Sequence, residues 1–172
     1  MKRLFILTLV AGIFAASTVN AQEDKSKRPS PPAVAKETIK SGATLTIDYS
    51  QPSLKGRKIG TELAPYGKVW RTGANEATTF KVDKAVKVEG KPLPAGTYSL
   101  HSIPTEKEWT IIFNKTADQW GSYKYTEADD ALRVVVKPGK APATTEKMTF
   151  TIDKSGKVTL LWGDIAVPFT VK

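Results

Sequence analysis

Apolar residues recur at every second position through most of the chain. Leu45, Ile47 and Tyr49 alternate with Thr44, Thr46 and Asp48, and Phe80 with Val82, Val86 with Val88 and Tyr98 with Leu100 repeat the pattern. Trp109, Ile111 and Phe113 form its clearest set. Leu132, Val134 and Val136 follow, then Met148, Phe150 and Ile152, then Val158, Leu160 and Trp162, and finally Ile165, Val167, Phe169 and Val171. A period of two puts one face of a strand in a core and the other in water. Turn residues separate these runs: Ser41-Gly42, Glu89-Gly90, Pro94-Ala95-Gly96, Lys154-Ser155-Gly156 and Gly163-Asp164. Many short strands at close spacing predict a single all-β domain, an antiparallel β-sandwich or jelly-roll-like fold. The one helical candidate is Thr126–Ala131, where Thr126 caps and Asp129 answers it. Its length allows a turn or two.

The first 21 residues depart from this pattern. Lys2 and Arg3 precede an apolar run from Leu4 to Ala16, and small residues close the segment at Val19-Asn20-Ala21. That is the layout of a secretory signal peptide, and the run is shorter than the roughly 20 residues a membrane span needs. The expectation is an exported protein, periplasmic or secreted, starting at Gln22 and without a transmembrane segment. Residues 22–35 hold three prolines and alternating charges, which predicts a flexible linker ahead of a domain spanning 36–172.

Composition narrows the chemistry. The chain has no cysteine, so burial and not disulfides must stabilise it, and thiol nucleophiles and Cys-ligated metals are excluded. Asn114-Lys115-Thr116 matches a glycosylation sequon that a bacterial setting leaves unused. Without Lys2 and Arg3 the 26 basic residues fall to 24 against 17 acidic ones, a net charge of +7. Only Arg28, Arg57, Arg71 and Arg133 of these are arginine, and the lysines scatter over turns and strand faces. That distribution describes a solvated surface and lacks the clustered basic and aromatic residues of a nucleic-acid interface. No cofactor is expected: the Gly-Lys pairs at 67, 90, 139 and 156 lack P-loop spacing, and one histidine cannot build a multi-histidine metal site.

Two polar stretches interrupt the alternation: Tyr49-Ser50-Gln51-Pro52-Ser53-Leu54-Lys55-Gly56-Arg57-Lys58, and Pro65 to Thr78 with its run Trp70-Arg71-Thr72-Gly73-Ala74-Asn75-Glu76-Ala77-Thr78. With Gly90–Leu100 and Glu108–Lys115, they resemble a family of exported bacterial proteins catalogued as domain of unknown function twenty-nine eleven. The resemblance runs over roughly Ile39 to Lys172. It implies a secreted β domain and supplies no catalytic, cofactor or ligand residues.

The residues themselves leave several readings open. Arg57 and Arg71, each in a Gly-containing loop, could form a paired site for a carboxylate or phosphate. Alternatively, Arg71 pairs with Glu76 and stacks on Trp70, pinning its loop. Glu76 with Asp48 could serve a glycosidase, or Asn75-Glu76 could be a turn that satisfies backbone groups. His101 alternates with the core-facing pattern of its strand and is expected to point outward or towards a second layer. Trp109 and Trp162 belong to alternating sets and read as core, whereas Trp120 lies in a loop and could stack on a sugar or bury its ring beneath that loop. The candidate binding surface is therefore Arg57, Trp70, Arg71, Asn75 and Glu76, with Trp120 at its edge. It suits a binding or scaffold module for a glycan or anionic envelope component. A metal-independent hydrolase using Glu76 with Arg71, and a purely structural envelope protein, are the alternatives.

Overall fold

The computed structural model describes residues 24–172, so the expected signal peptide and cleavage point lie outside the described residues. Ten strands follow one another: β1 Pro32–Thr38, β2 Thr44–Ser50, β3 Thr79–Val82, β4 Val86–Val88, β5 Lys91–Leu93, β6 Gly96–Pro104, β7 Trp109–Asn114, β8 Asp130–Val136, β9 Gly139–Ile152 and β10 Lys157–Thr170. Six form one antiparallel sheet in the order β1-β2-β3-β6-β7-β8. The long strands β9 and β10 pair with each other, and the short β4 and β5 make a separate hairpin. The fold is the all-β, sandwich-like arrangement that the alternation predicts.

The inner faces meet in one core. Leu45, Ile47, Phe80, Leu100, Trp109, Ile111 and Phe113 from the six-stranded sheet pack with Met148, Phe150, Val158, Leu160, Trp162, Val167 and Phe169 from the β9–β10 ribbon. Phe113 lies at the centre of an aromatic cluster, with edge-on contacts to Phe80, Tyr98 and Phe169 at 5.0, 6.4 and 6.1 Å. Trp109 and Trp162 are core residues, as their periodicity indicates. Between Thr126 and Ala131 the chain makes a single 3-10 turn, Glu127–Asp129, but Thr126 makes no side-chain capping bond, because its hydroxyl donates to the Asp129 carboxylate at 2.8 Å instead.

Two larger features also differ from the sequence expectation. Residues 32–35, within the expected linker, belong to β1 and pair with β2 in a register running from Pro32 opposite Ser50 to Thr38 opposite Thr44. Three nearby prolines do not prevent this, because an edge strand needs backbone N–H groups on one side only. The outer face of β6 and β7 is also not in water. Ser99, His101, Ile112 and Asn114 are fully buried there, under the chain from Lys115 to Asp130. Asn114, the formal sequon residue, donates to the Thr126 carbonyl and the Asp130 carboxylate at 2.9 and 2.8 Å and accepts from the Thr116 N–H at 3.0 Å.

Candidate functional site

The Trp70–Thr78 run is a loop whose composition follows from its backbone. Trp70 extends the sheet beyond β3 by exchanging both backbone hydrogen bonds with Ser102 of β6, at 2.8 and 2.9 Å. Thr72 and Asn75 then adopt left-handed conformations, with φ of 49° and 58°. For a β-branched residue this is costly. Thr72 is held there by its hydroxyl donating to Ser102 Oγ at 3.0 Å and its carbonyl accepting from the Thr78 hydroxyl at 2.8 Å. Gly73 is required by space, since a Cβ on it would lie 2.7 Å from Thr78 Oγ1.

This loop separates the candidate residues into two sites. Arg57, Trp70 and Arg71 line a cleft of about 300 Å³, together with Ser30, Glu62 and Trp162. Its floor is aromatic: Trp70 stacks on Trp162 with ring centroids 5.5 Å apart and planes 13° from parallel, and meets Trp109 edge-on at 6.2 Å. The Trp70 indole N–H is used by the Gly73 carbonyl at 3.1 Å, whereas the buried Trp162 Nε1 finds no acceptor. Arg57 donates to the carbonyls of Leu54 and Ser53 at 3.1 and 2.8 Å, which aim its guanidinium without neutralising it. Among the described residues neither Arg57 nor Arg71 forms an ion pair, and the buried Arg71 Nε has no acceptor. A buried donor left unpaired costs about 1–3 kcal/mol, more when charged.

Asn75, Glu76 and Trp120 serve a different neighbour, the segment before β1. Arg28 Nη1 bridges both Glu76 carboxylate oxygens at 3.0 and 2.9 Å, and Lys25 Nζ reaches Oε1 at 2.9 Å. The Arg28 guanidinium lies 5.8 Å from the centroid of the Trp120 ring, within cation–π range. Asn75 Nδ2 donates to the Ser30 carbonyl at 3.0 Å. The Arg71–Glu76 pairing that the sequence suggested is therefore not formed, because the 25–30 segment claims Glu76 first. Trp120 stays half exposed, with this cation over one face.

Asp48 and Glu76 do line a common smaller cleft, of about 190 Å³, with Lys25 and Tyr49. Burial pushes the Glu76 carboxyl up, but hydrogen bonds from Lys25, its own backbone N–H and Arg28 outweigh that and hold it at about 2. A general acid must keep its proton near neutral pH, so this carboxylate does not suit the protonating role a glycosidase requires. Among the described residues no group of three or more His, Cys, Asp or Glu side chains has metal-binding geometry.

His101 points into the second layer. Its Nε2 lies 3.1 Å from Ser99 Oγ, its Nδ1 lies 3.3 Å from Ser122 Oγ, and its ring meets Tyr125 at 5.0 Å. Gln119 Nε2 also donates to Ser99 Oγ, at 3.4 Å, and to the Thr116 carbonyl at 2.8 Å. Burial drives the His101 pKa down to about 4, against a weaker upward pull from Asp130 and the Trp70 backbone. The neutral ring thus ties the 119–125 loop to β6. That loop in turn meets the Trp70–Thr78 run, where Gly121 N–H donates to the Asn75 carbonyl at 3.0 Å. Gly121 has φ +63°, and a Cβ there would sit 2.7 Å from Arg71 Nη1, so glycine is what lets the guanidinium pass.

The loop run and strands together match a family profile, Protein of unknown function (DUF2911), over residues 30–171. The chain belongs to this family. Comparison with the curated proteins and with the solved structures returned no match. The DUF2911 match begins at Ser30, ahead of the expected boundary at residue 36, and so takes in β1 and the residue that Asn75 holds. Three residues of the sites carried little or no sequence signal. The alternation favours core for Trp162 over a place in a sugar-stacking platform, and Glu62 stands in no motif, but Arg28 is one of only four arginines beyond the signal-like segment, a rarity that flags Arg57 and Arg71 equally well.

Proposed function

We propose that this DUF2911 domain is an exported binding module. Its ligand is an anion, a carboxylate- or phosphate-bearing glycan or envelope component held in the Arg57–Trp70–Arg71 cleft. The observation that carries this reading is that Arg57 and Arg71 both line the cleft and neither forms an ion pair among the described residues. A ligand oxyanion would neutralise them, and a planar guanidinium can hold such a group through two parallel hydrogen bonds. The net charge of +7 left after the signal-like segment favours encounter with anionic partners.

The test is titration of the protein with inorganic phosphate and, separately, with D-glucuronate, followed by amide chemical shifts. The expected result is a saturable response centred on residues 57–74, lost in Arg71→Gln and weakened in Arg71→Lys, which keeps the charge without the planar fork. The same response in Arg71→Gln as in the wild type would contradict the assignment. Export is tested by intact mass of the secreted protein, expected to begin at Gln22.

A further inference from the structure

We propose that residues 25–30 form a latched wall of the Arg57–Arg71 cleft, with Glu76, Asn75 and Trp120 as positioning residues for this arm and not as ligand contacts. The proposal rests on the anion-binding reading of that cleft and extends it to how the site is completed.

The arm touches both sites. Ser30 lines the cleft beside Arg71 and Trp162, and its carbonyl is held by Asn75 Nδ2 at 3.0 Å. Two residues earlier, Arg28 is clamped between the Glu76 carboxylate and the Trp120 ring, with only 13% of its side chain exposed. Lys25 adds a second cation to Glu76, and Asp24 caps the short turn Lys25–Lys27 by accepting from the Ser26 N–H at 3.1 Å. On the far side, the Pro31 carbonyl accepts from the Gln51 N–H at 2.9 Å, and β1 starts at the next residue.

What is missing from this contact is as informative as what is present. Residues 24–31 carry no aliphatic or aromatic side chain apart from two prolines, and the first apolar side chain packed against the core is Ala33. The contacts the arm makes with the other described residues are chiefly ion pairs, one cation–π contact and a few hydrogen bonds. Such segments open at a small fraction of the global unfolding free energy. Asn75 reaches Ser30 from a left-handed backbone, φ 58°, which asparagine adopts more readily than most residues. A ligand touching both Arg71 and the Ser30 wall would bind the docked state better than the open one. By linkage, docking then strengthens binding and binding strengthens docking by the same factor.

Trypsin reads the latch directly. Lys25 and Lys27 lie in the arm, while Arg28 precedes Pro29 and resists cleavage, so nicking at 25 and 27 follows arm opening. Nicking is measured by intact mass in the wild type, Glu76→Gln and Arg28→Ala, which break the latch from opposite sides. Both variants should nick at least about five times faster. The wild type should approach them at about 1 M salt, where the screening length falls to about 3 Å. Saturating inorganic phosphate should slow nicking in the wild type and leave Arg71→Gln unchanged. Rates within twofold of the wild type for both latch variants would overturn the proposal. Phosphate that shifts the cleft amides yet leaves wild-type nicking unchanged would overturn the coupling. Phosphate that shifts no cleft amides would overturn the anion reading, and the two latch variants would then decide the latch alone.

Discussion

The two polar sites sit a few residues apart on one loop, yet they are finished differently. At Glu76 every charge has a partner: the carboxylate takes Arg28 and Lys25, and Arg28 also covers Trp120. At Arg71 the charge has none among the described residues, and a buried N–H is left over. A site whose groups are mutually satisfied holds structure together. One whose cations line a cleft without a partner is left open to an anionic ligand. Residue type alone leaves Glu76, flanked by Asn75, as an alternative chemical centre. The pairing pattern counts against it.

Both sites hang from β6 and β7, so the contrast breaks first if this platform breaks. Phe113→Ala should cost about 3–5 kcal/mol, because it empties the centre of the Phe80–Tyr98–Phe169 cluster. Thr110→Ala, on the opposite face of β7, should cost less than about 1 kcal/mol. Chemical denaturation of the two variants checks this. Equal losses would mean that the inner face has been misassigned.

The next effect in size comes from His101, which holds the loop between the two sites. Its folded pKa, about 4, lies below the ordinary value of 6.5, so between those values the unfolded chain binds more protons than the folded one. Stability should accordingly be flat above about pH 7 and fall as the pH drops from 6.5 towards 4, by up to about 3 kcal/mol. His101→Gln should remove the slope in that window. Glu76 behaves in the opposite sense only in form: its contribution is present above its ordinary pKa of 4.5 and is lost as the pH falls towards 2. The two windows therefore separate in an acid titration of stability.

How far the sequence could be read follows the same division. Period-two alternation captured the strands because one face of each meets a continuous core, as at Trp109-Ile111-Phe113. It could not show that Ser99, His101 and Asn114 on the other face are also buried, because the segment covering them, 115–130, has no period of its own. Trp70, Arg71 and Arg57 are legible as candidate residues of one cleft, since rare arginines in glycine-bearing loops stand out from scattered lysine. The partner of Glu76 was not, because Arg28 lies 48 residues away in a proline-rich stretch that composition alone describes as linker. Pairing across such distances is a property of the fold and leaves no local mark.

The smallest expected effects belong to the two sites themselves. Glu76 is 39% exposed in its pair with Arg28, so Glu76→Gln should cost only about 1 kcal/mol after solvent screening. Arg71→Gln should leave the free protein as stable as the wild type or make it more so, since it removes a charge that forms no ion pair among the described residues. A double-mutant cycle on Arg71 and Glu76, read by denaturant unfolding without ligand, tests the division most directly. The division predicts a coupling energy within about 0.5 kcal/mol of zero, as for sites without shared partners. A coupling above about 1 kcal/mol, with Arg71→Gln itself clearly destabilising, would make the two residues one structural unit and remove the ligand site.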